Sequence, residues 1–180
     1  MRLIKPVWVI SIIIIVIIFV SHHVFAADVA KIGVIDLQKI LETSAAGKSI
    51  QTELKKENDK MLADLKKKGA EIENIRKRLE RESMVMGKEK REEKEREYRI
   101  KNNDLKSLKN KYRSDLQKHE GRLMQQLSDD INEIVNEIGK KEGYLIIINK
   151  LGVIYSPNSI DVTDKVIGKL NTKFTKNKKK

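Results

Sequence analysis

The sequence predicts an α+β fold in which a small strand-forming head carries one long antiparallel α-helical hairpin. Residues 48–141 contain no proline and have heptad-like apolar spacing, and short β-branched runs flank this stretch on both sides. Heptad spacing is typical of the narrow seam of a coiled coil, and short β-branched runs are typical of strands. Aromatic residues make up only 4% of the chain. Since large apolar side chains dominate core formation, we expect copies of the chain to associate.

The first 26 residues have the pattern of an export signal. Arg2 and Lys5 precede an apolar run over residues 7–20, and small residues end the segment at Ala26. The run is 14 residues long, whereas a stable membrane span takes about 20. We therefore expect cleavage after Ala26 and export of the mature chain. The alternative is an uncleaved anchor that tethers a structural coiled coil to the membrane.

The charge balance favours acidic partners. The net charge is +12, and +10 remains after the two cations of the signal are removed. Anionic lipid or lipopolysaccharide is therefore a candidate partner. The chain lacks the interleaved aromatic residues and the groove-reading element of nucleic-acid binders, so no specific nucleic acid is expected. With no cysteine in the sequence, disulfides and thiol chemistry are excluded.

The first part of the head is predicted over residues 27–47. Residues 30–36 form a β-branched run with one glycine and indicate a strand. Asp36 is suited to cap a helix that continues through Leu41, because its carboxylate can accept from free backbone amides. A break is expected over residues 43–47.

The second part of the head is predicted over residues 142–172. Residues 144–149 and 153–155 are strand-like and predict a β-hairpin that lies beside the first strand. Asp161 resembles the cap of a final helix. The apolar face of that helix is formed by Val166, Ile167 and Leu170. The lysine-rich residues 173–180 predict a disordered, solvated tail.

The arm is predicted over residues 48–141. Residues whose numbers sum to 177 lie opposite each other when this stretch is folded back, with a reversal near residues 87–89 beside Gly87. The six apolar pairs in this register are Ile50 with Leu127, Leu54 with Leu123, Met61 with Leu116, Leu65 with Tyr112, Ile72 with Leu105, and Leu79 with Tyr98.

Catalytic motifs are missing from the sequence. It contains no glycine-rich phosphate loop and no nucleophile elbow. His119 is the single histidine beyond the signal, and a lone histidine near an apolar seam is more often packed than catalytic. Asp161 and Asp164 fit helix capping better than an acid pair. We therefore predict no enzyme, no catalytic, cofactor-binding or metal-binding residue, and no cofactor.

Three groups of residues are candidates for binding. Apolar side chains left outside the arm seam suit varied partners, because methionine adapts to many shapes, although packing explains them equally well; they are Leu62, Met84, Val85, Met86, Ile100 and Met124. Two basic triplets could contact anions or simply be solvated, and they are Lys66, Lys67, Lys68, Arg76, Lys77 and Arg78. The apolar strand residues predicted for self-association are Ile32, Val34, Ile35, Leu145, Ile147, Val153 and Tyr155.

The order of these segments resembles the Skp/OmpH family of periplasmic chaperones. The resemblance is carried by residues 31–36, the charged helical hairpin, residues 144–149 and 153–157, and residues 161–170. It implies a jellyfish-like homotrimer, whose strands form a central body and whose three arms enclose a cavity. It also implies that the cavity holds unfolded outer-membrane proteins without ATP. The apolar arm residues above would then be the contacts to such clients.

Overall fold

The computed structural model describes residues 30–82 and 84–178. The predicted signal over residues 1–26, with its apolar run, and residues 179–180 of the predicted tail lie outside this part of the chain. Within the described ranges, no helix is both long enough and apolar enough to cross a membrane.

Strand β1, Lys31–Ile35, opens the head and is followed by helix α1, Leu37–Thr43. Both were predicted. The Asp36 side chain caps α1 by accepting a hydrogen bond from the Lys39 amide at 2.9 Å. This bond satisfies one of the backbone donors that the first turn of a helix leaves free.

Two long helices form the arm. Helix α2 spans Ala45–Glu82 with 38 residues, and helix α3 spans Lys88–Glu142 with 55 residues. At 1.5 Å per residue, α2 is about 57 Å long. The predicted reversal is present, and it lies between Glu82 and Lys88, slightly earlier than the sequence register suggested. Gly87 has a φ of −57°, so the turn does not depend on its conformational freedom.

The junction of α1 and α2 does depend on a glycine. Gly47 is buried in the first turn of α2, and a Cβ atom at this position would lie 2.0 Å from the carbonyl oxygen of Leu41. Only a residue without a side chain allows α1 and α2 to approach so closely. The break predicted over residues 43–47 is thereby confined to Ser44, which is fully buried.

Helix α3 ends at Gly143, whose φ of 70° is left-handed, and strand β2, Tyr144–Asn149, follows directly. Strands β1 and β2 pair in a two-stranded sheet, as predicted. The prediction of a β-hairpin is wrong for the single chain. A 3-10 helix over Lys150–Gly152 follows β2, and residues 153–155 form no strand. Asn149 favours that turn because its side chain accepts from the Leu151 amide at 3.1 Å.

Helix α4, Thr163–Lys178, closes the head. A second 3-10 helix, Asn158–Ile160, precedes it, and Asp161 accepts from the Thr163 amide at 2.9 Å. Thr163 in turn accepts from the Asp36 amide at 2.9 Å, which ties the two ends of the head together. The prediction of a disordered tail from residue 173 is wrong up to Lys178, because Phe174 packs against the core and gives this lysine-rich turn an apolar anchor.

The core lies where the head meets the root of the arm. Helices α1, α2, α3 and α4 and strand β1 all contribute to it, so the α+β fold with a helical arm is confirmed. Its fully buried or nearly fully buried aliphatic side chains are Val34, Ile40, Ile138, Val166 and Leu170.

Candidate functional site

Large apolar side chains are exposed on β2 and on the segment that follows it. Leu145 is 74% exposed and Tyr155 is 82% exposed. The other exposed members of this head surface are Ile32, Ile146, Ile148, Leu151 and Ile154. Soluble proteins rarely leave so much apolar area uncovered in one region unless it contacts a partner. Within the described residues, β1 is the only strand that pairs with β2, so the other edge of β2 is open to a further strand.

The residues predicted for self-association divide into two groups. Ile32, Leu145 and Tyr155 are exposed on the head surface. Val34 and Ile35 are buried in the core of the single chain, and Ile147 packs against that core; Val153 is half-buried. Alternation along a strand places successive side chains on opposite faces. The sequence alone does not show which of the two faces is buried by the rest of the same chain.

The arm exposes apolar side chains chiefly at its tip. Met84 is 98% exposed and Val85 is 86% exposed, and Met86 beside them is half-buried. Leu62 and Ile100 are exposed farther along the two helices. Met124 differs from the other five candidates, because it is half-buried and packs against the core at the arm root. The structure therefore leaves five of the six apolar candidates away from the core.

A groove runs along one side of the arm, between α2 and α3. Its middle part is lined by Glu53, Lys56, Glu57, Lys60, Met61, Asp64, Lys68, Leu108 and Tyr112. Its outer part, toward the tip, shares Lys68 and Leu108 and adds Ile72 and Leu105. The lining combines apolar side chains such as Met61 and Leu108 with charged ones such as Lys60. We call this feature the arm groove.

Polar contacts tie the two arm helices together across the seam. The Tyr112 hydroxyl donates to Asp64 Oδ2 at 2.9 Å, and this bond raises the pKa of the Tyr112 phenol, with burial and the aspartate charge adding to the effect. His119 Nε2 lies 3.0 Å from Glu53 Oε1 and 3.5 Å from Glu57 Oε2. Arg122 donates to Nδ1 of the same ring at 3.0 Å. His119 therefore bridges the helices, in keeping with its predicted packing role.

The two basic triplets have different surroundings. Arg76 pairs with Glu73 at 2.8 Å and also with Glu80 on its own helix, and the hydrogen bond and charge of Glu73, with the charge of Glu80, raise the Arg76 pKa. Lys77 lies 3.9 Å from Glu73. Within the described ranges, by contrast, no acidic group lies in ion-pair distance of Lys66, Lys67 or Lys68, and all three are exposed. The first triplet is therefore more open to an external anion.

Sequence reasoning missed several exposed residues of the head surface. Ile146 and Ile148 were assigned to a strand without a binding role, and Leu151 and Ile154 were treated as parts of a hairpin. The signal for Ile146 and Ile148 was the unbroken apolar run of β2, which lacks the polar alternation of a strand that faces water on one side. In residues 30–82 and 84–178, no cluster of histidine and carboxylate side chains is arranged to hold a metal ion.

Comparisons with known proteins identify the family to which the chain belongs. Residues 31–170 match the family described as Outer membrane protein (OmpH-like). Among solved structures, an OmpH-like protein from Caulobacter crescentus CB15, described as a proposed outer membrane chaperone, superposes with a TM-score of 0.76 at 14% identity. The match covers 80% of this chain and 85% of that one, and at such low identity it shows a shared fold. A search of curated proteins found no match. Because the family match spans most of the sequence, from β1 to α4, this chain belongs to the OmpH-like family.

Proposed function

We propose that this protein is a holdase chaperone of the periplasm, which binds unfolded outer-membrane proteins and prevents their aggregation without ATP. Membership of the OmpH-like family supports the proposal, as does the fold shared with a protein described as a proposed outer membrane chaperone. The observation that carries it is the separation of two exposed apolar surfaces, one on the head and one on the arm.

The head surface would join copies of the chain. A two-stranded sheet is marginally stable in water, and the open edge of β2 can add a strand from a neighbouring copy. Residues 153–155, which form no strand in one chain, would be available for such pairing. We propose a homotrimer in which the heads form a central body and the arms enclose a cavity.

The arm surface would hold the client. Leu62, Met84, Val85, Met86 and Ile100 offer apolar contacts that do not form one deep pocket. Flexible methionine side chains fit many partner shapes. Weak contacts spread over a long arm would restrain an unfolded chain without selecting one sequence. Release would then follow from competition with the client's own folding.

Aggregation of an unfolded β-barrel protein tests the function directly. The barrel protein is diluted from urea into buffer without nucleotide, and light scattering is followed with and without the purified protein. We expect suppression once the oligomer is equimolar with the client. Unchanged aggregation in the presence of an excess of oligomer would contradict the proposal.

Two matched substitutions separate assembly from client binding. Leu145→Glu places a charge on the head surface and should lower the mass measured by light scattering below three times the mass of one mature chain. Leu62→Glu places the same charge on the arm, so it should leave the mass unchanged and weaken suppression of aggregation. Far-ultraviolet circular dichroism checks that both variants keep their helices. If Leu145→Glu leaves the assembly intact, the proposed interface is wrong.

We propose that anionic lipid or lipopolysaccharide binds at Lys66, Lys67 and Lys68, where no carboxylate neutralises the side chains within the described part of the chain. Replacing these three lysines with serine should reduce sedimentation with anionic vesicles more than replacing Arg76, Lys77 and Arg78 does, because glutamates already pair with Arg76 and Lys77 of that second triplet. Equal losses would contradict this assignment.

Mass spectrometry of protein from the periplasm tests the proposed cleavage, since the mature chain should begin at Ala27.

A further inference from the structure

The last two turns of α4 lie beyond the region that matches the family. The match ends at residue 170, whereas α4 continues to Lys178. These turns contain one apolar side chain, Phe174, among lysine, threonine and asparagine. Such a lysine-rich segment has little reason to be helical by itself, so its contacts with the rest of the chain must hold it in place.

Phe174 supplies the apolar contact. It packs against the core and lies at the arm root, in a space lined by Ala46 and Ile50 of α2 and by Leu123 and Leu127 of α3. The Lys178 amino group lies over its ring, 5.0 Å from the centroid, in the geometry of a cation–π contact. The phenyl ring therefore touches both helices of the arm.

Polar contacts fix the same turns to both helices. Lys173 Nζ lies 2.7 Å from Asp130 Oδ1 and 2.7 Å from Glu133 Oε2 on α3, and these two bonds raise the Lys173 pKa. The Asn171 side chain accepts from the Ala45 amide at 2.7 Å. Ala45 is the first residue of α2, so Asn171 satisfies a backbone donor that the start of the helix leaves free.

The space around Phe174 neighbours the arm groove, since Glu53 lines both of them. Exposed ion pairs contribute little stability each, and chain ends open more readily than cores. The contacts that hold Phe174 are therefore weaker than those of the core beneath it.

We propose that residues 171–178 form a strap, which ties the first turns of α2 to α3 and covers the apolar space at the arm root. Opening the strap would expose that space and free the start of α2. The inference concerns the chain's own packing and holds whether or not the protein is a chaperone.

Hydrogen exchange of the purified protein tests the strap. In Phe174→Ala, the amides of residues 45–53 and 123–131 should exchange about fivefold faster or more, because loss of packing worth one or two kcal/mol changes a local opening equilibrium by that factor. Lys173→Ala should produce a smaller acceleration in the same peptides. Lys176→Ala is the control, because it removes the same charge from an exposed position of the same helix and should leave both peptides unchanged.

Two further measurements keep the proposal falsifiable if Phe174→Ala folds poorly. Asn171→Ala removes only the hydrogen bond to the Ala45 amide, and it should accelerate exchange in residues 45–53 without affecting residues 100–110. Binding of the dye 1-anilinonaphthalene-8-sulfonate should increase in Phe174→Ala relative to Lys176→Ala, since the apolar space at the arm root is then exposed. Equal exchange in Phe174→Ala, Asn171→Ala and Lys176→Ala would overturn the strap, and unchanged dye binding would overturn its covering of the apolar space at the arm root.

Discussion

Between residues 51 and 126 the arm buries one described side chain, Ile72, at 8% exposed, whereas the head and the arm root bury a continuous cluster around Ile138 and Leu170. Both regions contain apolar residues at regular spacing. In the head these residues meet from four helices and a strand, and in the arm they meet from only two helices. Two helices cannot surround a side chain, so the arm seam stays partly open to water.

This difference shows how one chain can combine a stable core with exposed apolar surface. The head supplies cooperative burial, which is the main favourable contribution to folding. The arm leaves apolar surface exposed because it has no third layer to cover it. Substitutions in the buried core of the head should therefore lower the stability of the chain, and equivalent substitutions in the arm should lower it less.

The largest expected effect is in the core. Ile138→Ala removes a side chain that is 1% exposed, and it should lower the free energy of unfolding by about 4 kcal/mol, from lost burial and the cavity left behind. Ile72→Ala removes the same atoms from the arm and should cost about 2 kcal/mol, because its surroundings can relax or hydrate. Urea denaturation at one fixed protein concentration measures both. Equal losses of unfolding free energy in the two variants would show that the arm is packed as tightly as the head.

The close approach of α1 and α2 gives the next largest effect. Gly47→Ala forces a Cβ atom against the Leu41 carbonyl oxygen and should cost about 3 kcal/mol through backbone displacement. Gly121→Ala is the matched control within α3, where nothing lies within 4 Å of the added atom. That substitution should stabilise the protein by about 0.5 to 1 kcal/mol, because alanine favours helix over glycine. A neutral Gly47→Ala in thermal melts would contradict the close contact.

Acid should weaken the head through Asp161. Burial alone would raise the Asp161 pKa, but the hydrogen bonds from Thr163 and the ion pair with Lys150 outweigh it and hold the pKa below the ordinary 3.8. A lowered carboxyl pKa stabilises the fold above the unfolded pKa, and this stability is lost as pH falls through the folded pKa. Asp161→Asn should therefore cost about 1 kcal/mol at pH 7 and show a flatter decline below pH 4.

The control for that measurement is Asp59→Asn, which removes the same charge from an exposed position on α2. Its acid dependence, followed by circular dichroism, should match that of the parent protein. If both variants decline alike, the contacts of Asp161 with Thr163 and Lys150 do not set the acid response.

The smallest effect is expected in the arm at alkaline pH. The hydrogen bond to Asp64 raises the Tyr112 pKa above its ordinary 10.0. The stabilisation from this bond is therefore fully present below pH 10 and is lost as pH rises through the folded pKa. Absorbance titration should show one of the four tyrosines of the chain ionising late. Asp64→Ala should remove that delay, and Asp104→Ala should not. A delay that persists in Asp64→Ala would exclude this bond as its cause.

Local signals predicted most of the elements. Asp36 before an apolar run located the start of α1, and the proline-free heptad pattern located the two arm helices. The seam register also agrees with the structure, since Met61, Leu65, Tyr112 and Leu116 line one space between the helices. These predictions were correct because capping and helical periodicity depend on residues close in the sequence.

Contacts between distant residues were harder to predict. The run of lysines after residue 172 predicted disorder, yet Phe174 reaches the core and keeps α4 helical. Residues 153–155 had the composition of a strand but lack a partner within one chain. For the binding surfaces, composition identified apolar candidates such as Val34 and Leu145 without separating the buried one from the exposed one.

The sequence by itself determined the helical hairpin, the flanking strands and the scarcity of large core side chains, because periodicity, capping and composition act over a few residues. Only the tertiary structure decided which apolar residues are buried. It also decided that the Leu41 carbonyl packs against Gly47 and that α4 extends along the arm root. Those features depend on which surfaces meet, and surfaces far apart in the chain meet only after the fold has brought them together.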